Sequence, residues 1–265
     1  MSDMAPETYR EVLARLAGAQ KGAARSAPAY SRFVNRRLGR FLAAWAYQQG
    51  MTPNVVTGIS AMFTFTGIAL LALTPPAILV GVVVSLLLII GYAWDSADGQ
   101  VARLTGTGSS AGEWLDHMVD ATKVVAMPLA LGFGFYRYNV GPQVWLLVPL
   151  AAAIVGSVLF FAMILTEQIR RAHGVRSVAD TGGRMPWLRS VMVIPTDYGI
   201  LCVSFLLLGF TPVFQVIYTV LIAATAGFLV LALPKWFREI AAFGRDSGGR
   251  RDPGQGSPSH PVGAR

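Results

Sequence analysis

The stretch AILVGVVVSLLLIIGYAW, residues 77–94, decides the fold class. Wound as a helix it is apolar on every face, so no side of it suits water. About 20 such residues in a helix cross the roughly 30 Å hydrocarbon layer of a bilayer. Working outward, five more apolar stretches reach spanning length, giving six spans near 54–73, 77–97, 112–136, 143–166, 190–210 and 213–233. Turn-forming residues separate them at Thr74-Pro75-Pro76, Gly141-Pro142 and Thr211-Pro212. Of 265 residues, 54% are hydrophobic and 14% charged, which excludes both a water-soluble globular domain and a mainly disordered chain. The expected fold is an all-α integral membrane protein with six transmembrane helices. Cys202 is the one cysteine, so a disulfide framework and a cysteine metal cluster are also excluded.

Charge orients the spans. Lys and Arg number 8 before residue 54, 1 between spans two and three, 5 between spans four and five, and 6 from Lys235 onward. The opposite side carries Arg137 alone. Positive loops stay inside, so both termini are expected in the cytoplasm, with the protein in the plasma (inner) membrane. All six Trp residues (45, 94, 114, 145, 187, 236) lie at or near expected span ends, where amphipathic rings favour the headgroup level. In so apolar a chain, the net charge of +8 fits an anionic bilayer surface and gives no reason to invoke nucleic acid.

The ends divide the chain further. Residues 1–27 mix acids and bases without a continuous apolar core, unlike a signal peptide, and read as a cytoplasmic N-terminal segment. Within 28–52, Val34, Leu38, Phe41, Leu42 and Trp45 share one helical face, while Arg32, Arg36, Arg37 and Arg40 share another. That pattern belongs to an amphipathic helix lying in the membrane interface. The transmembrane catalytic domain is expected over 53–236, followed by a Gly/Pro/Ser-rich disordered tail, 237–265.

The acids then point to chemistry. Four of the nine Asp residues fall within 95–120: Asp95 and Asp98 at i, i+3, Asp116 and Asp120 at i, i+4. Each pair projects from one face of its own helix, and the topology puts both pairs at the cytoplasmic level. At about 4 Å and an effective dielectric near 20, each carboxylate contact costs about 4 kcal/mol. Arg103 and Lys123 cannot neutralise four acids, whereas one or two divalent ions can, and all-oxygen ligands suit Mg²⁺ or Mn²⁺. Gly112, one turn before Asp116, permits close approach; Gly99 is expected where the chain leaves the helix.

The full spacing, D-x-x-D-G-x-x-A-R-x8-G-x-x-x-D-x-x-x-D, runs through Asp95, Asp98, Gly99, Ala102, Arg103, Gly112, Asp116 and Asp120. It resembles the signature of the CDP-alcohol phosphotransferase family, and the resemblance extends over all six expected spans. Thr52-Pro53-Asn54 with Thr57 resembles the stretch that opens the family's first span. The resemblance implies a six-helix homodimer, two Mg²⁺ or Mn²⁺ ions on the four acids, and Asp120 as general base. It also implies that Asn54, Thr57, Gly99, Ala102, Arg103 and Gly112 meet the CDP part of the substrate.

Other residues remain open. Lys123 either binds an acceptor phosphate or pairs with Asp120. His117 is expected to step away from Asp116 and to pack or face solvent. Asp197 suits a helix-to-helix hydrogen bond away from the motif, and Glu167 a pairing with Arg170 or Arg171. The loop Arg170, Arg171, Arg176, Arg184, Arg189 serves either topology alone or docking of an anionic acceptor, with Arg170, Arg171 and Arg189 the acceptor candidates. The expected reaction moves a phosphatidyl-type group from a CDP-activated lipid to a small, possibly phosphorylated alcohol and releases CMP. Two alternatives stand beside it: a CDP-linked small alcohol as donor to a lipid or polyol, and a polytopic ion-coupled transporter. Ser31-Arg32-Phe33-Val34-Asn35-Arg36 resembles family members that act on CDP-inositol, which favours the first alternative.

Overall fold

The computed structural model describes residues 7–20, 29–175 and 197–248. Among these there is no strand. The helices are α1 (Tyr9–Gln20), α2 (Arg36–Gln48, entered through a π-helical turn Ser31–Asn35), α3 (Pro53–Leu73), α4 (Ile78–Thr105), α5 (Ser110–Arg137), α6 (Leu147–Ala172, entered through a 3-10 turn Gln143–Leu146), α7 (Tyr198–Ser204, continued by Phe205–Leu207) and α8 (Thr211–Gly248). Five are long and apolar enough to cross a membrane, and Tyr198–Leu207 is a shorter apolar helix. The chain is an all-α membrane protein. Of the span expected at 190–210, residues 190–196 lie outside the described residues.

Local chemistry sets the helix ends. Thr52 caps α3 by accepting from the Val55 amide, with Pro53 in the first turn, where its missing N–H costs nothing. Ser109 caps α5 by accepting from the Gly112 amide at 3.1 Å. At the end of α4, Gly106 takes φ +67, the left-handed value that glycine adopts without penalty. The chain therefore does not leave the helix at Gly99 as the sequence suggested. Val101, two residues on, is fully buried in a cluster with Trp94, Ala97 and Val56, and that packing carries α4 through the glycine.

The spans pack through small residues. Ser60 Oγ donates to the Gly91 carbonyl at 2.8 Å, and a Cβ on Gly91 would collide with Thr64 Oγ1. At the end remote from the acids, Phe135, Trp145, Phe205, Phe214 and Tyr218 form a buried aromatic cluster joining α5, α7 and α8. Ahead of the spans, α1 buries Val12 and Leu16 against Ala43, Ala44 and Ala46 of α2. The opposite face of α2 leaves Phe33, Val34, Leu38, Phe41 and Trp45 between 39% and 53% exposed, as an interfacial helix requires. Residues 237–248, expected in the tail, instead continue α8, pinned by Glu239, which accepts from Arg170 Nε and Nη2 at 2.7 and 2.8 Å. Residues 249–265 lie outside the described residues.

Candidate active site

The C-terminal part of α4 and the N-terminal part of α5 bring the four acids together. Asp98, 8% exposed, accepts from Thr57 Oγ1 of α3 at 2.7 Å and from the Gly99 amide at 2.5 Å. Lys123, 6% exposed, places Nζ 2.8 Å from Asp95 Oδ1 and 2.5 Å from Asp120 Oδ1, so one ammonium joins the two helices. Of the two roles left open for Lys123, pairing with acid is the one seen, and Asp95 shares it. Its Nζ also lies 5.5 Å from the centre of the Tyr198 ring. Asp116 has neither a hydrogen bond nor an ion pair among the described residues.

His117 packs, as the sequence led one to expect, and also stands beside the acids. It does step about 100° from Asp116, but it stands three residues before Asp120 and so shares that residue's face. Asp116, His117 and Asp120 each bring a potential ligand atom within 4.8 Å of the others. The imidazole Nε2 is 3.8 Å from Glu113 Oε1, its ring meets Phe160 edge-on, and its Nδ1 is buried without a hydrogen bond.

Two cavities meet at this cluster. A polar one of about 560 Å³ is lined by Asp98 and Asp116 together with Asn54, Thr57, Gly99, Ala102, Arg103 and Gly112. Every residue expected against the nucleotide therefore stands on one wall. A Cβ on Gly112 would sit 3.0 Å from Asn54 Oδ1, so bulk there would press on that wall; at Gly99 the nearest atom is Arg103 Nη1 at 3.7 Å, which leaves the backbone open. Arg36 of α2 has its pKa lowered by burial first and then by the neighbouring Arg103 cation, a pairing of like charges that an anion would relieve. The second cavity, about 340 Å³, has Asp95, Asp120 and Lys123 at its polar end and Met127, Leu159, Phe160, Met163, Leu221 and Ile222 among its apolar walls.

The arginines divide. Arg170 is held by Glu239 and lies 3.7 Å from Glu167, and it lines neither cavity. Arg171 pairs with Glu113 at 2.6 Å and Glu167 at 3.5 Å, and lines the polar cavity. Glu167 thus meets both expected partners. Arg176, Arg184 and Arg189 lie outside the described residues. Sequence reasoning missed the reach of Asp197, which accepts from the amides of Tyr30 (2.8 Å), Ser31 (3.3 Å) and Gly199 (3.1 Å). Its position just before Tyr198-Gly199 at a helix start was the available signal for the last of these.

The donor set suits a hard divalent cation: of four clustered carboxylates one ammonium pairs with Asp95 and Asp120, and Asp116 has no hydrogen bond or ion pair among the described residues. A family model described as CDP-alcohol phosphatidyltransferase matches residues 50–231. The chain belongs to that family. No curated protein matches it. As a CDP-alcohol phosphatidyltransferase family member it is a membrane transferase of phospholipid synthesis, moving a phosphatidyl group from a CDP-alcohol. The transporter alternative is set aside by this membership. Helices α1 and α2 precede the matched region, which begins just ahead of α3.

Proposed function

We propose that this protein transfers a phosphatidyl-type group from CDP-diacylglycerol to a small alcohol, releasing CMP. One observation carries the reading: a polar cavity and an apolar cavity share the acid cluster, so a substrate with a CDP head and a lipid body has a place for each part. Thr57 orients Asp98 through its hydroxyl, and Arg103 offers a guanidinium to phosphate oxygens. Asp120 takes the proton of the acceptor hydroxyl as its oxygen bonds to phosphorus and the bond to the CMP oxygen breaks. Lys123 holds the carboxylate that receives that proton. Asp95, Asp98, Asp116 and Asp120 would hold Mg²⁺ or Mn²⁺, two ions in the full set, and such ions when bound neutralise diphosphate charge. The active site and both termini face the cytoplasm, and the protein works as a homodimer in the plasma (inner) membrane.

A second reading is favoured by a specific observation. Asp120, the base, lies on the wall of the apolar cavity, and Arg170 and Arg171 are already paired with glutamates. A lipid hydroxyl arriving from the apolar side would then attack a CDP-linked small alcohol such as CDP-inositol.

The two are separated by giving purified protein in lipid nanodiscs CDP-diacylglycerol with a panel of alcohols, or CDP-inositol with lipid alcohols, and weighing the products. CMP release with neither set, in the presence of Mg²⁺ or Mn²⁺, sinks both. Orientation is checked in a Cys202→Ser background. Val140→Cys should react with an impermeant thiol reagent on intact cells, and Gly108→Cys only after lysis. The reverse labelling would move the acids away from cytosolic CDP substrates.

A further inference from the structure

We infer that Asp197 is a positioning residue for the acid cluster, acting through the ring of Tyr198 on Lys123. The inference rests on the acid cluster being the reactive site. Asp197 is 1% exposed, and its two carboxylate oxygens serve different partners. Oδ1 accepts from the Gly199 amide and caps α7; Oδ2 accepts from the amides of Tyr30 and Ser31, at the turn that leads into the interfacial helix. One side chain thus fastens two segments that lie more than 160 positions apart in the chain.

What is fastened is a stack of rings. Tyr30 lies so close over Gly199 that any Cβ there would collide with its ring. Tyr30 stacks on Tyr92 of α4 with centroids 6.4 Å apart, and Tyr92 meets Tyr198 edge-on at 5.0 Å. Tyr198 in turn presents its face to Lys123 Nζ, the cation that holds Asp95 and Asp120. It is the ring of Tyr198 that Lys123 Nζ meets, so the ring and not the hydroxyl is the working part. Tyr92, Asp197 and Tyr198 all line the apolar cavity, and none lines the polar one. The stack adds to the two acids in setting the rotamer of Lys123, and removing the clamp loosens the ammonium on its ring side while leaving the CDP wall intact.

The test uses the full-length protein in nanodiscs. Asp197→Ala should lower kcat by about tenfold or more, as misplaced catalytic groups do, and keep the KM for the CDP substrate within about twofold. Tyr198→Leu should reproduce that split, and Tyr198→Phe, which keeps the ring, should recover kcat to within about threefold of the parent. Should Asp197→Ala fail to fold, the Leu and Phe variants at 198 decide. Full kcat in Tyr198→Leu, or a rise in the CDP-substrate KM matching the fall in kcat, overturns the inference. A readout independent of turnover is the ¹⁹F resonance of 3-fluorotyrosine placed at 198. Lys123→Met should shift it, and Asp197→Ala should shift it too; a resonance indifferent to Asp197→Ala overturns the inference even where no CMP release is found.

Discussion

The two cavities that share the acid cluster are built by opposite means. The polar cavity is walled by the start of α3, the end of α4 and the start of α5, and its groups are fixed by directed bonds: Thr57 to Asp98, the Gly112 amide to Ser109, Arg171 to Glu113. The apolar cavity lies between α5, α6, α7 and α8, and apart from its acid end its shape is set by Leu, Met and Phe side chains. Directed bonds define one ligand geometry, whereas apolar walls accept any body of suitable volume. On the proposed reading, that contrast would give selectivity for the nucleotide and tolerance toward the lipid chains.

The largest effect should come from breaking the acid cluster, two of whose members line each cavity. Asp95→Asn, Asp98→Asn, Asp116→Asn or Asp120→Asn, made singly, should each cut turnover by about a thousandfold or more, read as CMP release. Asp120→Asn should differ by keeping much of its Mn²⁺ affinity, measured by paramagnetic resonance, because its role is partly that of a base. Near-normal turnover in any two of the four would falsify the assignment.

A smaller effect tests the seam beneath the polar cavity. Gly91→Ala forces a methyl onto Thr64 and the Ser60 carbonyl, and overpacking of this kind costs about 1–3 kcal/mol. Thermal unfolding in detergent should show it as a lowered Tm; an unchanged Tm would mean that α3 and α4 slide apart freely. Smaller again are the separate effects on the two walls. Arg103→Gln should raise the KM for the CDP substrate by about tenfold, since a charge-assisted hydrogen bond contributes about 1.5–3 kcal/mol. Leu159→Trp, which fills the apolar cavity, should instead alter preference among lipid chain lengths. If both variants change both parameters alike, the cavities are one site and the contrast dissolves.

The least effect is expected at the clasp between α6 and α8. Arg170→Gln and Glu239→Gln should each lower stability by about 1 kcal/mol, for a partly exposed pair, and leave the acceptor KM unchanged. A strong rise in acceptor KM in Arg170→Gln would restore the acceptor-docking role that the sequence allowed.

Much of the architecture was legible in the sequence. Apolar length and amphipathic pattern depend on residue order alone, so the spanning helices and the helical, one-sidedly apolar α2 follow without knowledge of how the helices pack. The motif spacing carried the acids, because i, i+3 and i, i+4 relations survive any detail of packing. What escaped was tertiary. Gly99 reads as a helix end, yet buried Val101 draws α4 onward to Thr105. Lys123 offers one visible partner one turn away, and Asp95 joins it only because α4 and α5 come together. Asp197 looked remote from the motif because no local pattern reports that Tyr30, 167 positions earlier, lies against it.

The overrun of α4 sets the enzyme against the bilayer like a gauge against a sheet. From Ile78 to Asp95 the helix rises about 26 Å, and to Asp98 about 30 Å, at about 1.5 Å per residue. Those heights coincide with the roughly 30 Å depth of the hydrocarbon layer. A few ångströms of extra membrane thickness would draw the carboxylates beneath the surface where diphosphates float, and a few fewer would lift them clear of it. With the acids acting at that height, turnover in nanodiscs of graded lipid chain length should peak at one thickness, making the surrounding lipids a condition of catalysis.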